Sequence, residues 1–177
     1  MEEIGAYAFS HCSQLKCANI PNGVKKIGTL AFRYSAVEEI SIPKSVIEVE
    51  SGILVGTPYT GKFINKSSIY YCDDVLVDVG LNYKNGLGDK VEINEGTRVI
   101  PGYAFYNSGI NEIVLPESLY MINRGAFFNT SGMLYRSMNL KESLKYCTDE
   151  EKIDMLAGDG MLIKRPILVL KDFKVTS

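Results

Sequence analysis

The sequence predicts a mainly β protein: a solenoid of stacked coils with an inserted β-hairpin, followed by a small incomplete α+β tail. Three observations predict it. One phrase recurs every 22 or 23 residues, the residues ahead of its proline alternate with period two, and the patterning changes to short helical signals after Phe127.

The recurring phrase is Ile20-Pro21, then Ile27 seven residues after Ile20, then Phe32 five further on. The spacing returns as Ile42-Pro43, Val49, Leu54; as Ile93-Asn94, Ile100, Phe105; and as Leu115-Pro116, Ile122, Phe127. A partial copy opens the chain at Ile4 and Phe9. Alanine precedes the aromatic at Ala8, Ala31, Ala104 and Ala126, and a small residue follows it at Cys12, Ser35, Ser108 and Thr130. Ahead of the proline, Glu39-Ile40-Ser41-Ile42 and Glu112-Ile113-Val114-Leu115 alternate as a strand with one buried face does. Proline ends the strand because it has no N–H to give to a ladder, and the following Asn-Gly, Lys-Ser or Glu-Ser suits a turn. The Ile, Ala and Phe of the second half then face inward. One such unit cannot bury its apolar side alone, so copies stack into a curved solenoid with a strand ladder along one side.

These residues carry a resemblance. Ile4-Gly5-Ala6-Tyr7-Ala8-Phe9 and Ile27-Gly28-Thr29-Leu30-Ala31-Phe32, with the I-x-I-P strand end, resemble the BspA-like leucine-rich repeat over about residues 1–130. The departures are Val49-Glu50 and Ile53-Leu54 in the third copy, Pro101 in place of glycine, and Asn94 in place of proline. The resemblance implies a bacterial or protozoan surface or secreted protein whose leucine-rich-repeat ladder face binds other proteins or host matrix.

Between the third and fourth copies, Leu54 to Ile93 spans far more chain than the spacing needs, which places an insert at about 57–90 within a solenoid domain of 1–127. Ser68-Ile69-Tyr70-Tyr71-Cys72 and Val75-Leu76-Val77-Asp78-Val79 read as a hairpin around Asp73-Asp74. Its tyrosines, with Tyr59 and Tyr83, are either an exposed binding surface or rings packed on the solenoid edge.

Residues 128–177 form the tail. Thr148-Asp149-Glu150-Glu151 is a capping-box signal for a helix at about 149–157 that Gly158 ends, and Ile167–Leu170 with Phe173–Val175 read as hairpin arms. Phe127-Phe128-Asn129-Thr130-Ser131-Gly132, Met133-Leu134-Tyr135-Arg136, Asn139-Leu140-Lys141 and the run Asp159 to Val169 are similar to the second half of the arsenate-reductase-like (ArsC, Spx and YffB type) thioredoxin-fold proteins. By that resemblance Arg165, with Lys164 beside it, is an anion contact near a redox cysteine, and Pro166 is a cis-proline. The family's nucleophilic cysteine would lie upstream, where the repeats stand instead, so the tail is expected to be an inactive partial segment. Gly125-Ala126-Phe127 ends a repeat while Phe127-Phe128-Asn129 begins the second family's block. The expectation is a truncated or recombined product joined at shared letters, or else a natural protein using the tail as a cap.

The chain has 177 residues, 46% of them hydrophobic and 23% charged, and a formal net charge of −2. That balance shows no basic excess for nucleic acid, and no apolar run reaches the roughly 18–20 residues of a membrane span. The acidic start, Met1-Glu2-Glu3, is unlike a secretory signal. The four cysteines form no C-x-x-C and His11 is the single histidine, so no metal, cofactor or catalytic residue is predicted; a Cys12–Cys17 disulfide stays open. The predicted function is non-catalytic protein binding or adhesion, with a protein partner on the ladder face at Glu38, Glu39, Ser41, Asn111, Glu112 and Val114. The competing class is a thiol oxidoreductase or redox regulator carried by the tail. The repeat resemblance implies the cell surface, the tail resemblance the cytoplasm.

Overall fold

The computed structural model describes residues 1–62, 69–79, 90–108, 110, 112–128, 134–137 and 173–174. Each coil of the solenoid contributes two short strands and a run of turns. The first strands are β2 (Cys17–Asn19), β4 (Glu39–Ser41), β8 (Lys90–Glu92), β10 (Glu112–Leu115) and β12 (Leu134–Ser137). They form parallel ladders β2-β4 and β8-β10-β12, with Cys17 opposite Glu39, and with Lys90, Glu112 and Leu134 in one row. The second strands, β1 (Glu3–Ile4), β3 (Lys26–Ile27), β5 (Glu48–Val49), β9 (Val99–Ile100) and β11 (Met121–Ile122), pair in parallel as β1-β3-β5 and β9-β11. A short strand β13 (Phe173–Lys174) runs antiparallel to β12.

The apolar positions of the repeat are the core. Ile4, Ile27, Val49, Ile100 and Ile122 on the second strands are all buried, as are Phe32, Leu54, Phe105 and Phe127 in the turns behind them. Rings of adjacent coils stack: Phe9 on Phe32 at 5.2 Å between centroids and Phe105 on Phe127 at 5.3 Å. In the small-residue slot, the Ser35 hydroxyl donates to the Phe32 carbonyl at 2.7 Å. The hydroxyl of Thr57 does the same for Leu54 at 2.8 Å, so a buried turn closes on itself.

The turn run is a third ladder of a different kind. Tyr7, Phe9 and His11 each donate a backbone N–H to the next coil, at the carbonyls of Thr29, Ala31 and Arg33. Tyr103, Phe105 and Asn107 repeat this toward Arg124, Ala126 and Phe128. To present those groups, two positions four residues apart in the coil take positive φ. They are Tyr7 and His11, Leu30 and Tyr34, Gly52 and Gly56, and Tyr103 and Asn107, with Gly125 in the fifth coil. Side chains at these positions lean over the next coil, so that the Tyr34 ring covers Gly56 and the Tyr103 ring covers Gly125. Gly56→Ala, with φ at +71° and no room for a Cβ beneath Tyr34, is expected to cost about 1–3 kcal/mol. Urea unfolding reads this against Gly5→Ala, where space is open and the change should stay within about 0.5 kcal/mol.

The insert is the hairpin that its alternation predicts, β6 (Ile69–Cys72) antiparallel to β7 (Val75–Val79), with Asp73 at positive φ in the turn and a bulge between Tyr70 and Tyr71. It does not stand off the solenoid. Val75 pairs in parallel with Val99, which places the hairpin beside β9 in the order β11-β9-β7-β6. Successive β7 residues serve different cores: Val75 and Val77 pack with the first three coils, Leu76 and Val79 with the later ones. A strand buried on both faces carries a continuous apolar run, as Val75-Leu76-Val77 does. Beside it the third and fourth coils touch directly, Gly102 N–H donating to the Val49 carbonyl at 2.8 Å. Before the hairpin, a four-residue helix α1 (Pro58–Gly61) starts from Thr57, whose side-chain oxygen accepts from Thr60 N–H.

One expectation changes here. The ladder continues past residue 127, because β12 adds to β10 one repeat length further on. Of the two readings of the insert tyrosines, packing on the solenoid edge is the one seen at the described positions: Tyr70 is 7% exposed and Tyr59 and Tyr71 are half-buried. The Tyr59 hydroxyl donates to the Tyr71 carbonyl at 3.0 Å, and the Tyr71 hydroxyl accepts from Asn94 N–H. These rings join the hairpin to its neighbours. Tyr83, the helix expected at 149–157, and Lys164, Arg165 and Pro166 lie outside the described residues.

Candidate protein-interaction surface

Three faces run along the solenoid: the first-strand ladder, the second-strand ladder and the turns. On the first, Glu38, Glu39 and Ser41 are exposed as predicted. Period two sends Glu39 and Ser41 outward while the strand is anchored through Ile42, whose N–H donates to the Asp73 carboxylate at 3.1 Å. Lys62 bonds the Glu38 carbonyl at 2.6 Å, leaving the Glu38 carboxylate free to face outward. The Cys17 thiol lies 3.7 Å from a Glu39 oxygen. On the far side of the hairpin, Lys90 and Glu92 form an exposed ion pair at 2.7 Å. By backbone register Glu112 stands opposite Lys90. Asn111 lies outside the described residues, as does the Glu112 side chain.

Val114 departs from its expected place. Its position on β10 continues the outward row of Glu92, yet it is only 9% exposed. Strands flank β10 on both sides, and a short branched side chain standing between two ladder neighbours is shaded by them.

On the second face Lys26 stands among carboxylates, 4.0 Å from Glu3, 3.9 Å from Glu48 and 3.8 Å from Glu50. These exposed pairs contribute little to stability, and they leave the face acidic.

The described cysteines offer no redox pair, Cys12, Cys17 and Cys72 all being free. The Cys12–Cys17 disulfide left open by the sequence is therefore not formed. Among the described residues no three His, Cys, Asp or Glu side chains converge on a metal position. Burial, reinforced by the neighbouring Asp73 carboxylate, pushes the Cys72 thiol up to about 12. Burial raises Tyr59 as well. Iodoacetamide at about pH 8 is thus expected to alkylate exposed Cys17 and to spare Cys72 in the folded protein, read by peptide mapping. The unfolded chain loses its Cys72 proton near about pH 9 and the folded chain only near 12, so the folded state holds more protons between them. Stability is fully present below that window and falls as pH rises through it, and urea midpoints at about pH 8 and about pH 10.5 should show the drop.

The repeat geometry has a counterpart among known families. A model described as BspA type leucine rich repeat region matches residues 1–75 and 83–151 with six copies. The chain belongs to the BspA-type leucine-rich repeat family. The sixth copy agrees with the added strand β12, whose Leu134 falls one repeat after Glu112; that spacing was the signal for it in the sequence. The uncharacterized protein YusI of Bacillus subtilis (strain 168) is 61% identical over 41 residues, which is 23% of this chain and 35% of that protein. The repeat protein therefore spans about a third of that relative's length. Among solved structures, a leucine-rich repeat protein from Eubacterium ventriosum shares 21% identity with a TM-score of 0.36, covering 75% of this chain and 29% of the other. A Treponema pallidum leucine-rich repeat protein shares 18% identity with a TM-score of 0.38, covering 87% and 76%. The family match supports the repeat half of the sequence reading and gives the arsenate-reductase-like half none. Among the described residues no helix is long and apolar enough to cross a membrane.

Proposed function

We propose that this BspA-type repeat protein is a non-catalytic module that binds another protein through its first-strand ladder. The observation that carries the reading is the exposure of Glu38, Glu39 and Ser41 at and beside β4, a strand paired in parallel with β2. Strands hold side chains at fixed spacing, and carboxylates so placed steer a basic partner surface to one register. In a repeat protein the neighbouring coils supply a long continuous face for such contacts. Glu112 of β10 and, by sequence position, Asn111 before it are included in the proposed surface, and a surface or adhesion role is the setting that the family suggests.

Reversing Glu38 and Glu39 to lysine is expected to leave unfolding within about 0.5 kcal/mol, both side chains being exposed, while removing partners captured by the unmodified chain. Quantitative capture with both forms of the protein checks this. An identical set of partners bound equally by both forms would remove the ladder face from the proposal.

A further inference from the structure

The turn face differs from both ladders in composition. Of the seven large apolar residues exposed among the described residues, five stand on it, Tyr7 (52%), Tyr34 (49%), Tyr103 (40%), Tyr106 (49%) and Phe128 (43%), the others being Met1 and Tyr120. Three of these occupy backbone that disfavours a side chain, with φ of 58° at Tyr7, 53° at Tyr34 and 56° at Tyr103. Glycine serves the same positions in other coils, at Gly52, Gly56 and Gly125. The Tyr34 and Tyr103 rings cover Gly56 and Gly125 of the next coil, and both residues still keep 40% or more of their surface in water.

The charges on this face are equally selective. The turn segments 5–12, 28–36, 50–57, 101–108 and 123–128 contain Arg33, Arg124 and one carboxylate, Glu50, which lies 3.8 Å from Lys26 of the second-strand face, although the chain as a whole has more acids than bases. Neither guanidinium is ion-paired to a described residue. Arg33 lies 4.6 Å from the centre of the Tyr34 ring, and Tyr106 stacks on Phe128 at 5.8 Å. The rings thus fall on two stretches of the face, Tyr7 and Tyr34 on the first two coils and Tyr103, Tyr106 and Phe128 on the fourth and fifth, and the sequence of each stretch includes one arginine. Between them the third coil presents glycine at both positive-φ positions. Two coil spacings are roughly 10 Å, which about three residues of extended chain span.

We infer that the turn face is a second interaction surface, and that its occupant is an extended acidic segment of another polypeptide lying along the solenoid axis. Tyrosine and arginine together are the residues that carry binding energy at protein interfaces. An extended segment suits a row of rings better than a globular partner does, as in aromatic grooves that take polyproline-type chains. Two arginines are too few to hold a nucleic acid, whose affinity comes from many phosphate contacts. The inference goes beyond the ladder-face proposal and does not depend on it.

The test uses the full chain and two fluorescein-labelled peptides, (Glu-Pro)6 and (Lys-Pro)6, followed by anisotropy at low salt. Binding of the acidic peptide, weakening with salt, and none of the basic one is the expected result. Arg33→Glu with Arg124→Glu, and separately Tyr106→Ala, should each weaken it about tenfold or more. Glu38→Lys with Glu39→Lys should leave it in place, which separates this surface from the ladder. Failure of (Glu-Pro)6 to bind, or equal binding by the Tyr106→Ala or double-arginine variant, would overturn the inference. So would sedimentation showing that the turn-face variants abolish self-association of the free chain, since the occupant would then be a second copy.

Discussion

Phe105→Ala is expected to lower the unfolding free energy by about 3–5 kcal/mol, the largest single loss that the fold predicts. Phe105 is 1% exposed and its ring lies 5.3 Å from that of Phe127 at an interplanar angle of 12°. Truncation therefore removes a large buried surface and leaves a cavity that the neighbouring coils cannot close. Their backbones are held on both sides of the ring, Phe105 N–H bonding the Ala126 carbonyl at 2.7 Å. Coils contact only their neighbours, so the loss falls on the interface between the fourth and fifth. Hydrogen exchange should show protection falling first at 100–127, with residues 4–32 retaining theirs. A uniform loss along the chain would mean that the solenoid unfolds as one unit.

The second large effect is at the clamp that holds the hairpin in place. Arg98 donates from Nε and one terminal nitrogen to the two oxygens of Asp74, at 2.9 and 3.2 Å, and from the other to the Val46 carbonyl at 2.8 Å. One guanidinium thus joins the third coil, the hairpin turn and the fourth coil. The two side chains are 14% and 22% exposed, so removing either partner leaves the other charge poorly solvated. Asp74→Ala is expected to cost about 2–3 kcal/mol, with the partial exposure of the pair keeping it below the fully buried case. Arg98→Ala should cost a similar amount, through the lost Val46 contact as well. The double variant should cost less than the sum by about 1–3 kcal/mol, which a double-mutant cycle in urea measures. Additive losses would show that the pair is not the clamp.

The comparison of sequence and structure turns on how local each signal is. The positions Ile27, Val49, Ile100 and Ile122 were legible because a repeat protein reuses one packing solution in every coil, and all four are buried where the spacing puts them. The hairpin was legible as two strands about Asp73-Asp74, but not as an internal wedge. The run Val75-Leu76-Val77 is apolar on both faces, and periodicity does not say what each face meets. Tyr70 and Tyr71 followed the same course, since a tyrosine reads alike whether its hydroxyl meets water or, as in Tyr71, a backbone N–H. Of the candidate surface, Glu39 and Ser41 are exposed as alternation requires, and Glu38 is exposed just ahead of the strand. Val114 was misplaced because its burial comes from the strands on either side of it.

The turn face was the least legible part. Tyr7, Tyr34 and Tyr103 stand in slots that glycine shares, and nothing in the letters marks those slots as left-handed until the hydrogen bonds between coils are seen. By itself, then, the sequence determined the coil, its period and its buried positions, because these depend on contacts between neighbouring repeats that the spacing already records. Only the tertiary structure decided where the hairpin sits, which outward residues remain outward, and that aromatic rings and unpaired arginines share one face. Those depend on what lies across an element, and one chain's linear order carries no record of that.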